Sequence, residues 1–441
     1  MAALKKLYFV RTYAAIRRFA GRLAEYELWA VSLMIAASFV WLSLLPAAVI
    51  TAAVFWLLRW IGTGRVSRRT PVGGAVILLI VMGLVSLWVS AVPAITIPQV
   101  YRLLTGIAFF YAIVNWCNSP KRLRILLLGA TLAGLLLAIF AVISVQWPAG
   151  KLLFISRELY ERFRILVSDS VHPNVLAGSL IILLPIPLAG LLFGWGKRSR
   201  SEKIIYSEAI IMMLVVLALT QSRGAWIAIG MVLLTLLILK WRLSWLILVP
   251  VMILAVGVVS RLGMPQILEK LFSGGSISNW DGRKEIWSRA IYMIQDFPFT
   301  GIGMGLFGKA ADLLYPFSSL TSGAIEHAHN LFLQVAVDLG IPGLIAWLAI
   351  LVVVAARSWQ IYRYGRSQQE IQWSALGAGL LCSQIALVVH GMTDAVTWGM
   401  VRPAPLVWAI WGLAVAAGII YLNSSKSPEN TRTTGPVNVR E

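Results

Sequence analysis

His327 and His329 stand two residues apart in the stretch EHAHNLFLQVAVDLG, Glu326 to Gly340, and they are two of only four histidines in the chain. A histidine side chain titrates near pH 6.5, so it can take a proton from a hydroxyl at neutral pH. Asn330, which follows them, is a strong N-cap for a helix beginning at Leu331. Cations recur at comparable points: Arg223 opens the run RGAWIAIG, Arg283 and Lys284 fall in the first turn of an amphipathic helix, and Arg402 precedes Pro403 and the last apolar run. A cation there is repelled by the helix dipole, at a cost on the order of 0.3 to 1 kcal/mol, unless an anion lies between them. The pattern therefore reads as an anion site. His172, Pro173 and Asn174 before another helix, and Arg102 one turn into an earlier one, extend the set. Each cation also has a plainer role, reaching lipid phosphates or standing solvated on a helix face. A metal is not expected, because no third ligand is spaced with the two histidines.

The elements that must position these residues follow from composition. With 59% hydrophobic and 13% charged residues and a mean hydropathy of +0.81, the chain falls far below the roughly 25% charge of a soluble globule. It reads as an all-α polytopic membrane protein. A net charge of +20 in a soluble chain would point to nucleic acid, but here the placement of the basic residues matters more than their sum, and no nucleic-acid partner is expected. Cys117 and Cys382 lie far apart and provide no disulfide framework.

Apolar runs of roughly 17 to 25 residues predict about twelve spans. They are Glu27 to Leu45, Ala47 to Ile61, Pro71 to Val92, Gln99 to Trp116, Leu123 to Trp147 and Asn174 to Phe193. The rest are Ile204 to Thr220, Gly224 to Leu239, Ser244 to Val259, Leu331 to Ala356, Trp373 to His390 and Pro403 to Leu422. Residues 1–26 form a basic segment with no cleavable signal, read as a flank retaining the first span, with an interfacial helix as the alternative. Residues 27–259 hold the first nine spans, 260–328 a long loop, 329–422 the last three spans, and 423–441 a polar tail expected to be disordered.

Alternate short connections carry the basic residues, among them Arg65, Arg68, Arg69, Lys121, Arg122, Arg124, Lys197, Arg198, Lys240, Arg363 and Arg366. By the positive-inside rule that side, with both termini, is cytoplasmic. The long loops Pro148 to Val171 and Ser260 to Ala328 are then external. Even-numbered spans start outside, which places His172, Arg223, His329 and Arg402 at external helix N-termini, where basic residues are otherwise scarce. Within the second loop, short helices are expected from Met264 to Phe272, ended by Gly274 and Gly275, and from an Asp281 cap to Gln295. Ile286, Trp287, Ala290, Ile291 and Ile294 share one face of the latter, which should lie on the membrane domain or the bilayer surface. GIGMGLFG, Gly301 to Gly308, lacks the flanking strand and helix of a dinucleotide loop and reads as a tight turn.

The segments SVHPNVLAGSLIILLPIPLA from Ser170, TQSRGAWIAIG from Thr220, GRKEIWSRAI from Gly282, DFPFTGIGMGLF from Asp296 and EHAHNLFLQVAVDLGIPGL from Glu326 resemble the O-antigen ligase and O-antigen polymerase superfamily. The resemblance runs from the fifth span onward. It implies a GT-C-like membrane glycosyltransferase of the bacterial inner membrane, without cofactor or metal, acting on the periplasmic face. The donor would be an undecaprenyl-diphosphate-linked glycan and the acceptor a hydroxyl on lipid A core, another glycan or a protein. By resemblance Arg223 and Arg283 clamp the diphosphate and His329 acts at the acceptor; His327, Asn330, Asn174, His172, Arg102, Lys284 and Arg402 are expected, from their placement, to line the substrates. The essential histidine is left open between His327 and His329, as is ligase against polymerase. The family commonly has Glu where Asp338 stands. A transporter of a small anion such as bicarbonate is the rival from another class. His390 and Asp394, the nearest ionisable candidates for transport, fall beside the same external site.

Overall fold

Long apolar runs in hydrocarbon can satisfy their backbone N–H and C=O groups within a helix. The computed structural model describes residues 2–145, 147, 171–271, 280–320, 323, 325–398 and 404–425, and among them the only β pairing is an isolated bridge between Val145 and Val171. Residues 148–170, Gly274 and Gly275, Arg402 and Pro403, and the tail from Lys426 lie outside the described residues. The helices in order are α1 (Ala2–Leu23), α2 (Glu27–Val40), α3 (Leu45–Thr63), α4 (Gly73–Val89), α5 (Pro93–Trp116), α6 (Pro120–Ser144), α7 (Pro173–Leu183), α8 (Pro185–Gly194) and α9 (Arg200–Thr220). Next come α10 (Arg223–Lys240), α11 (Leu248–Leu262), α12 (Met264–Leu271), α13 (Trp280–Asp296), α14 (Phe307–Leu313), α15 (Leu331–Ser367), α16 (Ile371–Gly391) and α17 (Ala404–Ser425).

Nine helices among the described residues are long and apolar enough to cross a membrane, with α7 and α8 counted together as one run. The other three expected spans are also helical but shorter: α2 has 14 residues, α4 has 17 and α11 has 15. α17 continues to Ser425, past the expected boundary at Leu422. The basic N-terminal segment is itself a helix, and α1 crosses α3 where Arg17 Nε donates to the Gly62 carbonyl at 3.1 Å.

α16 is the central helix, buried over most of its length and packed on α7, α8, α10, α15 and α17. Small residues permit the approach: a Cβ on Gly377 would lie 2.2 Å from the Tyr362 nitrogen of α15. α15 is broken near its start. Gly340 has φ 68° and ψ −179°, and Pro342 lacks the N–H of the next turn. The ladder groups freed by the break are filled by the loop after α13: Ile341 N–H donates to the Pro298 carbonyl at 2.7 Å, and Ile302 N–H donates to the Val337 carbonyl at 2.9 Å. That loop fits because Gly301, at φ 67°, has no side chain; a Cβ there would lie 2.6 Å from the Asp338 carbonyl group.

Asp338 fixes the same junction. Its carboxylate accepts from Trp398 Nε1 at 2.7 Å, Gln334 Nε2 at 2.9 Å and Gly305 N–H at 3.1 Å. Met304 N–H donates to Ser86 Oγ of α4 at 2.7 Å, so the glycine run is sewn to two helices. Gly301, Gly303 and Gly305 all take positive φ, as a tight turn requires, and α14 follows them although no helix was expected there. α13 begins at Trp280, so Asp281 falls in its first turn rather than at the cap, paired with Lys284 at 2.6 Å. Its buried face is Ile286, Ala290 and Met293, which with Phe307, Ala311, Ile325 and Val337 form a second small core against α15, while Ile291 is exposed. The loop helix therefore packs on the membrane domain through this core.

Candidate active site

Three helices begin at one end of the bundle, around the turn that follows α16. At α7, the His172 ring Nδ1 accepts from Asn174 N–H at 3.2 Å, and Pro173 needs no partner for a missing N–H. At α15, Asn330 Oδ1 accepts from Phe332 N–H at 3.0 Å and Leu333 N–H at 3.1 Å. At α10, Gly224 lies against the turn so closely that a Cβ would stand 2.3 Å from Thr393 Oγ1. Arg223 is the residue beside it.

The turn itself, Met392 to Asp394, is the hub. Asn330 Nδ2 donates to the Met392 carbonyl at 3.2 Å. Arg283 Nη1 donates to the Thr393 carbonyl at 2.8 Å and to the His329 carbonyl at 3.2 Å. Asn174 Nδ2 donates to Asp394 Oδ2 at 2.9 Å, and Ala395 N–H donates to Oδ1 at 2.8 Å. His329 Nδ1 and His327 Nε2 face the same Oδ1 at 3.7 and 3.8 Å. Arg283, 7% exposed, is a buried bracket rather than the solvated residue its helix would ordinarily present.

The electrostatics follow from this crowding. Burial works against ionisation of Asp394, but the facing His329, then His327 and His390, outweigh it and hold the carboxyl below the usual carboxylate range. Burial pushes His327 down to about 3, the nearby His329 adds to this, and Asp394 opposes it, so His327 is neutral at pH 7. Burial also lowers the Arg283 guanidinium from its ordinary value, with Asp394 opposing.

Hydrogen bonding distinguishes the two rings. His327 Nδ1 accepts from His329 N–H at 3.2 Å. In the neutral ring the proton is then on Nε2, which faces Asp394. His329 turns Nδ1 towards Asp394 Oδ1 at 3.7 Å, beyond hydrogen-bond length, so the carboxylate's charge rather than a formed bond favours the proton on Nδ1 and the lone pair on Nε2. His329 is held in this pose with φ 47°, a left-handed conformation maintained by the bonds on either side of it.

His327, His329 and Asp394 have donor atoms within 4.8 Å of one another, so the fold brings up the third ligand that sequence spacing lacked. Two imidazoles and a carboxylate are an ordinary donor set for a transition-metal cation, but the hydrogen bonding present opposes one. His327 Nε2 could bind one only by moving its proton to Nδ1, against the His329 N–H it now accepts. Arg283 beside the cluster adds positive charge.

Of the residues singled out in the sequence, His327, His329, Asn330, Asn174 and Arg283 meet at the hub, with His172 capping the helix that carries Asn174. Arg102 donates to Gln99 Oε1 at 3.1 Å and lines a small cavity with Met304, Thr397 and Trp398. Lys284 is engaged with Asp281 on the α13 surface, and Arg402 lies outside the described residues. Asp394, the carboxylate the histidines share, was read from the sequence only as a candidate for transport. Its signal was the polar run GMTDA ending an apolar helix.

Residues 209–348 match the family model described as O-antigen ligase. That stretch is similar to the O-antigen ligase family, which supports the resemblance to the O-antigen ligase and polymerase superfamily. The matched segment holds Arg223, Arg283, His327, His329 and Asn330, whereas Asn174 and Asp394 join them from outside it. No curated protein matches the chain. The family match gives the small-anion transporter reading no support.

Proposed function

We propose that the hub is the active site of a metal-independent glycosyltransferase that moves a glycan from a polyprenyl-diphosphate carrier, such as undecaprenyl diphosphate, to an acceptor hydroxyl. The pose of His329 carries this reading: its Nδ1 faces a buried carboxylate at 3.7 Å, whose charge favours a proton on that nitrogen and so a basic Nε2. The acceptor oxygen attacks the anomeric carbon and forms the new glycosidic bond. The bond from that carbon to the diphosphate oxygen breaks, the carrier diphosphate leaves with the electron pair, and the hydroxyl proton goes to His329. Asp394 then faces the imidazolium, as a positioning residue that also stabilises its charge.

The leaving diphosphate needs charge neutralisation rather than a proton. Arg223 at the α10 start, the positive ends of α7, α10 and α15, and the charge of Arg283 meet that need. Arg283 also brackets the His329 carbonyl to Thr393, so its loss should misplace the base as well as weaken the donor site. Attack opposite the leaving group inverts the anomeric centre. Basic residues at the far end of the bundle support, by the positive-inside rule, a hub on the external, periplasmic face and termini in the cytoplasm, as expected of an inner-membrane enzyme of this kind. The acceptor class, lipid A core, glycan or protein, separates ligase from polymerase.

The test is glycan transfer or release from a synthetic polyprenyl-diphosphate oligosaccharide by purified protein, comparing wild type with Arg223→Ala and Arg283→Lys. Turnover by wild type and a loss on the order of 10²-fold or more in Arg223→Ala is the expected outcome. Inertness of wild type with every acceptor class, together with uptake of bicarbonate into vesicles, would overturn the assignment in favour of transport.

A further inference from the structure

The end of the bundle opposite the hub holds a second built feature. The cavity there, of about 150 Å³, is walled by α6, α8, α9 and α16 and lined by Arg124, Lys197, Arg198, Glu202 and Trp373. Gln372 at its edge and His390 beside the hub are separated along α16 by about 27 Å, taking 1.5 Å per helical residue. The two features are therefore distinct.

The charge in this cavity is one-sided. Glu202 is its lone carboxylate and is already saturated. It accepts from Ser199 N–H at 3.2 Å in a capping box, from Arg124 Nε at 2.9 Å, and pairs with Arg124 Nη2 at 2.9 Å and Arg198 Nη1 at 3.6 Å. Arg124 and Arg198 thus share one acid whose lone pairs are taken, and Lys197 adds a third cation to the lining. Arg198 is fixed in place, its Nε on the Gly190 carbonyl at 2.8 Å and its guanidinium 4.6 Å over the Tyr206 ring. α6, α9 and α16 all begin at this end, so their N-terminal dipoles add to the positive field. Leu127 and Leu376 form an apolar wall, and a smaller space of about 30 Å³ continues inward past Ile186 and Gly379. A cationic lip over an apolar wall, between spans and at the membrane boundary, matches a phosphate joined to acyl chains.

We propose that this cavity binds the phosphate of an anionic phospholipid from the adjoining leaflet, with its chains along the Leu127 and Leu376 wall. The site is independent of the glycosyltransferase reading.

The test uses the full chain purified in detergent and titrated with short-chain phosphatidylglycerol, phosphatidylcholine or inorganic phosphate, reading the thermal midpoint and, by native mass spectrometry, lipid occupancy. Phosphatidylglycerol should raise the midpoint and bind about fivefold more weakly to Lys197→Gln, the equivalent of one removed surface charge. Leu127→Trp, which fills the cavity and leaves every charge in place, should abolish the protection. Equal protection by phosphatidylcholine, or phosphatidylglycerol protection that survives in both variants, overturns the site. Protection by inorganic phosphate as strong as that by the lipid overturns the lipid assignment.

Discussion

His327 Nδ1 accepts the His329 amide while its Nε2 faces Asp394, so neither nitrogen of the neutral ring offers a lone pair to a substrate. His327→Gln should therefore leave transfer within about tenfold of wild type, whereas Asp394→Asn should lower it by on the order of 10² to 10⁴-fold by misorienting His329. His327 also sets a pH dependence of stability. Its folded pKa of about 3 lies below the ordinary 6.5, so between those values the unfolded chain binds the extra proton and stability falls as pH drops. The slope approaches about 1.4 kcal/mol per pH unit for one proton. A thermal-midpoint series from pH 7 to 4 should show it in wild type and a flatter profile in His327→Gln. The histidine doublet and the Asn330 cap were legible in the sequence because they are local. Asp394 was seen but not assigned, since its pairing with the histidines depends on α16 ending where α15 begins.

At the scale of elements, the break in α15 holds the site in place. Its nine-residue opening turns, Leu331 to Leu339, carry the histidine end, and the loop after α13 supplies the backbone bonds the break leaves open. Gly340→Ala should destabilise the protein by more than the 1 to 2 kcal/mol typical of a left-handed non-glycine residue, because the added Cβ would also stand 2.8 Å from the Phe299 carbonyl carbon. Asp338→Ala would leave Trp398 Nε1, Gln334 and Gly305 N–H without a buried acceptor, at about 1 to 3 kcal/mol for such a group. Asp338→Glu should also lower the melting midpoint, since the extra methylene must be fitted among three hydrogen-bonded partners and costs roughly 1 to 3 kcal/mol. Glycine spacing was enough to anticipate a tight turn. It gave no sign that the turn would enter a broken helix, because that requires knowing which buried carbonyls lack partners.

For the whole molecule, the apolar runs were readable because a helix in hydrocarbon must satisfy its own backbone. Their ends were less so, since α2, α4 and α11 are shorter than a full span and boundary residues fray. What the bundle accomplishes is to bring three helix starts and one helix end together, with the cationic residues of the short connections at the other end. The resulting site gathers positive dipoles, arginines and one oriented histidine, a combination suited to expelling a diphosphate and deprotonating a hydroxyl. The most direct test is glycan transfer from a polyprenyl-diphosphate oligosaccharide in EDTA, comparing wild type, His329→Gln and His327→Gln. The account predicts undiminished wild-type transfer, near-complete loss in His329→Gln and retention in His327→Gln. Loss of wild-type transfer in EDTA, or an active His329→Gln beside an inactive His327→Gln, would contradict it.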